Sequence, residues 1–205
     1  MLLVEGPDIM IVGSLAVVEV RFQHEGLHLD LRELNTVRLV KWRRSQSGLA
    51  AVLGTGNTWE RVLSFIPPTK YSLVHGQCLN VGVGGYLLGG GVNALGASAR
   101  FGWGAENVLM MRAVLADGRQ AKITEDSVEI YNGGGEVERI RYTDNTDLWF
   151  ALRGAGSSYA IVTEFVVNVF PRPETLPIIM PVDINSVQDF ANIEVTRLTI
   201  DCEVT

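Results

Sequence analysis

The sequence predicts an α+β fold, an antiparallel sheet with flanking helices. Three features carry that prediction. Short segments alternate apolar and polar residues at period two, as Leu27-His28-Leu29-Asp30-Leu31 does. Asp117-Gly118, set between two such segments, is a hairpin signal and joins its strands antiparallel. Helix signals are few and short, each bounded by a capping residue, a glycine or a proline.

Taken in order, residues 9–18 form an apolar run too short to span a membrane. Glu5 and Asp8 precede it where a signal peptide would carry basic residues, so it reads as a buried strand pair turning at Gly13-Ser14. Residues 27–31 follow as a half-buried strand, with residues 36–40 and 49–53 as its neighbours. Between those two, Arg43-Arg44-Ser45-Gln46-Ser47-Gly48 is a polar turn. Asn57 has the look of a helix cap, with Glu60 three residues later as in a capping box; the helix ends near Phe65, before Pro67-Pro68. Residues 108–116 and 120–124 are the strands of the Asp117-Gly118 hairpin. The acidic segment 125–138, which contains Gly133-Gly134-Gly135, reads as a linker. Asp144 or Thr146 caps a short helix through Trp149, Leu152 and Arg153, ended by Gly154-Ala155-Gly156. Residues 159–170 are a long β-branched and aromatic strand, broken by Pro171-Arg172-Pro173, where a domain boundary falls. Residues 183–190 read as a capped helix and 193–200 as a strand.

A length of 205 residues allows one or two domains, and 47% apolar with 20% charged residues describes a globular chain. The net charge of −6 and the lack of a basic run argue against a nucleic-acid partner. Cys78 and Cys202 are too few and too far apart for a metal site or a disulfide framework. The three histidines, His24, His28 and His75, are not grouped, and no metal site is expected.

The stretch with chemical content is HGQCLNVGVGGYLLGGGVNALGASARFGWGAEN, residues 75–107, which holds ten of the 22 glycines. Val81, Val83, Tyr86, Leu87, Leu88, Val92 and Leu95 are interleaved as core-type side chains, so the stretch is ordered rather than a flexible linker. Glycine removes the Cβ that would hold a ligand away, and successive N–H groups in such turns make an anion-binding nest. Between Lys70 and Glu106 the only formal charge is Arg100, so no carboxylate opposes an anion. The stretch therefore reads as a diphosphate cradle; the alternative is tight turns within a sheet. It is neither of the two commonest templates. Leu87 stands where the third glycine of G-x-G-x-x-G would fall, and Val92 where Walker A needs its lysine.

The order G-x-C-x-x-V-G-V-G-G-x-x-x-G-G-G, then R-x-G, then E-N-V, resembles the FAD-linked oxidases with a PCMH-type FAD-binding domain, most nearly the berberine bridge enzyme-like branch. The resemblance runs over residues 27–171. It takes in LDLRELN, GTGNTW, the glycine stretch, GAENV with VLADG, and DLWFALRGAGSSYAIVTEF. It implies a PCMH-type fold, mainly the second FAD subdomain, over residues 1–170 and the start of a substrate domain over 171–205. It implies FAD as cofactor, with Gly82, Gly84, Gly85, Gly89, Gly90 and Gly91 at its pyrophosphate and isoalloxazine. Asn57 and Thr58 of the GTGNTW turn would lie close to it. Ile161-Val162 would meet the adenosine end, where Ala160 replaces a usual glycine and narrows the approach. Cys78 matches the cysteine that bicovalent members bond to flavin C6, and Val81 the position that governs oxygen access. The R-S-G-G-H-type motif whose histidine holds the flavin is not found, His24 does not fit it, and no catalytic base is assigned.

The implied reaction is hydride transfer from an alcohol, amine or sugar carbon to flavin, with reoxidation by oxygen. The implied partners are FAD and a small-molecule substrate, with neither nucleic acid nor membrane. The alternative is a truncated, non-catalytic remnant acting as a binding or interaction module. A cell-wall precursor reductase of the same fold is a third reading, against which Cys78 in its G-x-C context weighs. The sequence assigns no compartment.

Overall fold

The computed structural model describes residues 9–12, 27–66, 70–93, 96–131, 137–138 and 147–172. Its main element is a seven-stranded sheet. In chain order the strands are β3 (Val37–Lys41), β4 (Leu49–Gly54), β6 (Val108–Val114), β7 (Gln120–Ile123), β8 (Val128–Tyr131), β9 (Val137–Glu138) and β10 (Ile161–Asn168). In space the order is β3-β4-β10-β6-β7-β8-β9, every pairing antiparallel. The predicted α+β class, with its antiparallel sheet, is what forms. Two small sheets stand apart: β1 (Ile9–Val12) beside β2 (Leu27–Asp30), parallel, and β5 (Tyr71–Ser72) beside β11 (Phe170–Pro171), antiparallel.

β4 and β10 are interior strands, and both faces of the sheet are covered there. Ala51 and Leu53 face one core; Ala50 and Val52 face a smaller one with Met110 and Val166. That is why residues 49–53 read as a continuous apolar run rather than an alternation. The larger core lies under helix α1 (Trp59–Phe65) and helix α2 (Val83–Leu88), with Trp59 and Phe165 fully enclosed. Each such side chain contributes about 2 to 3 kcal/mol by burial. α3 (Ala97–Phe101) docks where Phe101 stacks on Phe170, ring centroids 4.1 Å apart, and α4 (Asp147–Ala151) inserts Trp149.

Several sequence expectations are corrected. β2 does not pair with β3; it pairs with β1, while β3 lies on β4. The strand pair expected over residues 9–18 is described only at β1; its turn at Gly13-Ser14 and its second strand lie outside the described residues. Asn57 does not cap α1. The cap is Thr58, whose hydroxyl accepts from Arg61 N at 3.4 Å, while Asn57 is buried and donates from Nδ2 to Gly54 O and Thr36 O. The segment 125–138 is not wholly a linker, since it supplies β8 and β9; its glycine triplet lies outside the described residues. So do the Asp144 and Thr146 caps and the elements expected at 183–190 and 193–200. The hairpin at Asp117-Gly118 forms as read, closed by Leu115 N to Arg119 O at 2.9 Å.

Candidate functional site

The glycine stretch is not a run of turns. It contains α2, a six-residue helix that no apolar period announces. Two glycines in one helical turn are costly, at about 1 kcal/mol each relative to alanine. The helix forms because its first turn is tied from outside. Val83 N donates to Asn57 O at 2.8 Å and Gly84 N to Thr55 O at 3.3 Å, while Val83, Leu87 and Leu88 enter the core.

Gly84 and Gly85, adjacent on this turn, stand in different surroundings. A Cβ on Gly84 would overlap the Thr55 hydroxyl; a Cβ on Gly85 would meet nothing within 4 Å. Gly85 faces a cleft of about 180 Å³ between α2 and the start of β10. Gly84, Gly85, Leu88 and Gly89 form one wall. Gly156, Ser157, Ala160 and Val162 form the other, and Thr55 with Leu31 lies between. The walls are tied by Gly156 N to Leu88 O at 3.0 Å. Thr55 is fixed by its N–H to Thr163 O at 3.0 Å, at the irregularity in β10 between Val162 and Glu164. Among the described residues no charged side chain and no aromatic ring lines the cleft.

The second glycine group has another role. Gly90 and Gly91 have φ of +102° and +73° and turn the chain out of α2. A Cβ on Gly91 would lie 2.9 Å from Gly104 Cα and 2.9 Å from the Tyr86 ring; one on Gly90 would lie 3.3 Å from the Trp103 ring. Gly104 N to Gly91 O at 2.7 Å and Ala105 N to Gly90 O at 3.0 Å join this turn to the 3₁₀ turn Ala105–Asn107. Gly90 and Gly91 are buried and do not line the cleft. Tyr86 beside them is half-buried, its hydroxyl sealed and without a partner among the described residues, and burial pushes its pKa up to about 12.

Cys78 and Val81 sit on the turn that precedes α2. Its carbonyls cap α1: Trp59 N donates to Val81 O at 3.2 Å and Glu60 N to Leu79 O at 2.9 Å. The first-turn donors of α1 are thereby used, and Thr58 with them as the cap. Gly82, buried at the N-cap of α2, bridges to Thr58. Cys78 is exposed and unpaired, so it is not the small buried thiol that a packing role would require; Val81 is half-buried.

The structure thus brings together Gly84, Gly85, Gly89 and Val162 of the predicted set, with Ile161 half-buried next to Val162. It places Asn57 in the interior and Thr58 at a helix end. Sequence reasoning missed Thr55 and Ser157 as cleft residues. Thr55 lies inside the recognised GTGNTW motif, but its neighbour Asn57 has the more conspicuous capping chemistry. Among the described residues no cluster of metal-ligating side chains occurs, and no helix is long and apolar enough to cross a membrane.

A family model described as an FAD binding domain matches residues 8–124. A glucooligosaccharide oxidase of Sarocladium strictum is 32% identical over 155 residues, covering 76% of this chain and 27% of that protein. Among solved structures, the glucooligosaccharide oxidase of Acremonium strictum, which carries a 6-S-cysteinyl, 8α-N1-histidyl FAD, is similar at 28% identity and a TM-score of 0.54, over 73% of this chain and 26% of that one. A BBE-like protein of Physcomitrella patens is similar at 26% identity and a TM-score of 0.53, over 71% and 27% of the two chains. The chain spans about a quarter of the length of the curated relatives it matches.

Proposed function

Because this chain belongs to the FAD binding domain family, we propose that it forms part of the flavin seat of an FAD-dependent oxidoreductase. The reaction is hydride transfer from an alcohol, amine or sugar carbon of a small-molecule substrate, with oxygen as the final acceptor. Residues 1–170 are the FAD-binding part and residues 171–205 begin the substrate domain. The observation that carries the reading is the cleft at Gly85: an open, uncharged space walled by glycine backbone, where an added Cβ meets no protein atom.

FAD, when bound, supplies the hydride acceptor and carries the electrons onward. The chain's own residues bind and orient it. Gly85 and Gly89 let the ligand approach the backbone of α2, and Ile161 and Val162 meet its adenosine end. Gly82, Gly90 and Gly91 support that approach by setting where α2 begins and ends. Asn57 acts through the chain, holding the GTG turn and the first N–H of α2. Cys78, exposed on a turn held by α1, is the residue that would hold the flavin covalently, and Val81 the one that would govern oxygen access.

The test is to purify the chain, incubate it with excess FAD, and look for a flavin absorption band after gel filtration. Acid precipitation and mass spectrometry of the Cys78 peptide then read covalent attachment. Flavin retained in proportion to protein supports the seat; none bound at any FAD concentration overturns it. A second reading, an interaction module without flavin, rests on Trp103, Phe150 and Tyr159, all exposed on one open cleft of about 600 Å³. Failure to bind FAD would favour it.

A further inference from the structure

We propose that the Thr55 hydroxyl is a direct cofactor contact, donating a hydrogen bond to the diphosphate–ribose oxygens of FAD at the floor of the cleft. The inference rests on the flavin reading above and assigns a residue that reading does not contain.

Thr55 is only 2% exposed, and its main chain is fully engaged: N–H to Thr163 O, and C=O from Gly84 N. Its hydroxyl makes no hydrogen bond among the described residues; it stands beside Gly84, 2.3 Å from where a Cβ there would lie, and Thr55 and Gly84 both line the cleft. A buried hydroxyl normally finds a partner, so one left facing a cleft is an unfilled donor. Glycine at position 84 keeps it uncovered, since any Cβ there would overlap it.

The remaining polar inventory narrows the ligand portion. Among the described residues the cleft has no Lys or Arg to pair with an anion, and the Val83 and Gly84 N–H groups of α2 are already bonded within the protein. Neutral donors must therefore serve, and Thr55 is the buried one. At about 180 Å³ the cleft is smaller than the roughly 300 Å³ at which whole-ligand pockets begin, so it takes one part of FAD. Without an aromatic ring on either wall among the described residues, those walls offer no stacking surface for adenine or isoalloxazine. The acceptor-rich middle of FAD is the part that matches.

The experiment compares wild-type chain with Thr55→Val and Thr55→Ser by FAD titration, read by flavin fluorescence, and by thermal melting without FAD. Valine keeps the shape and removes the donor; serine keeps the donor. The proposal expects FAD affinity to fall about tenfold or more in Thr55→Val, as for loss of a hydrogen bond to a charged acceptor, and to stay within about twofold in Thr55→Ser. If valine lowers the melting temperature of the FAD-free chain, Thr55→Ala replaces it against the same serine control. Equal affinity in wild type and Thr55→Val overturns the contact while leaving the flavin seat standing, as does a serine variant as weak as valine. A wild-type chain that binds no FAD overturns the seat, and the contact with it.

Discussion

The two glycine groups at the ends of α2 look alike in sequence and differ in physics. Gly90-Gly91 is required by the chain itself: φ is positive, and Trp103, Tyr86 and Gly104 occupy the space a side chain would need. Gly84-Gly85 has ordinary helical backbone. One member is held by contact with Thr55; the other faces open space. Glycine at Gly85 has no internal justification in this fold, and helix propensity argues against it. Such a residue points to something outside the protein that needs the room.

The comparison breaks most visibly at Gly91. Gly91→Ala combines a strained φ with two contacts at 2.9 Å, one to backbone and one to the Tyr86 ring. We expect a loss of about 3 kcal/mol in urea unfolding. Gly84→Ala should cost about 1 kcal/mol net, because displacing the Thr55 side chain opposes the gain in helix propensity. Gly85→Ala should do the reverse of Gly91→Ala. It should stabilise the chain by roughly 0.5 to 1 kcal/mol through helix propensity while weakening FAD binding, measured by melting and titration on the same sample. A Gly85→Ala chain with unchanged FAD affinity would remove Gly85 from the cradle.

At neutral pH the smallest expected effect is at Tyr86, whose ring packs on the Gly91 turn; its influence emerges only at high pH. Its pKa is about 12 when folded, raised by burial, against about 10 in an unfolded chain. Between those values the unfolded chain has released the proton and the folded one has kept it. Stability therefore falls as pH rises from about 10 to about 12. Tyr86→Phe should flatten that decline and leave stability at pH 7 nearly unchanged, as read from melting temperatures across the alkaline range.

Much of this was legible in the chain. The strand expected at 159–170 forms over 161–168, and the hairpin at Asp117-Gly118 and the strand at 49–53 form as read, because turn chemistry and burial act locally. Strand order was not legible. β10 lies between β4 and β6, more than forty residues from either, and no local pattern records which edge a strand will fill. β8 was hidden by its company: Val128 and Ile130 alternate with Glu129 inside an acidic segment whose average suggests a linker. At the site, residue types misled by one position. Asn57 and Thr58 both have capping chemistry, and only the fold shows that Thr58 caps, Asn57 is interior and Thr55 meets the cleft.

The capping of α1 by the Cys78 turn has a dynamic consequence. The amides of Trp59 and Glu60 are protected by carbonyls from residues about twenty positions later, not by a side chain of their own segment. The turn cannot swing away without exposing those two donors, and α1 cannot fray at its start without releasing the turn. The two segments are thus one opening unit, and hydrogen exchange at Trp59 and Glu60 would report how often Cys78 leaves its place.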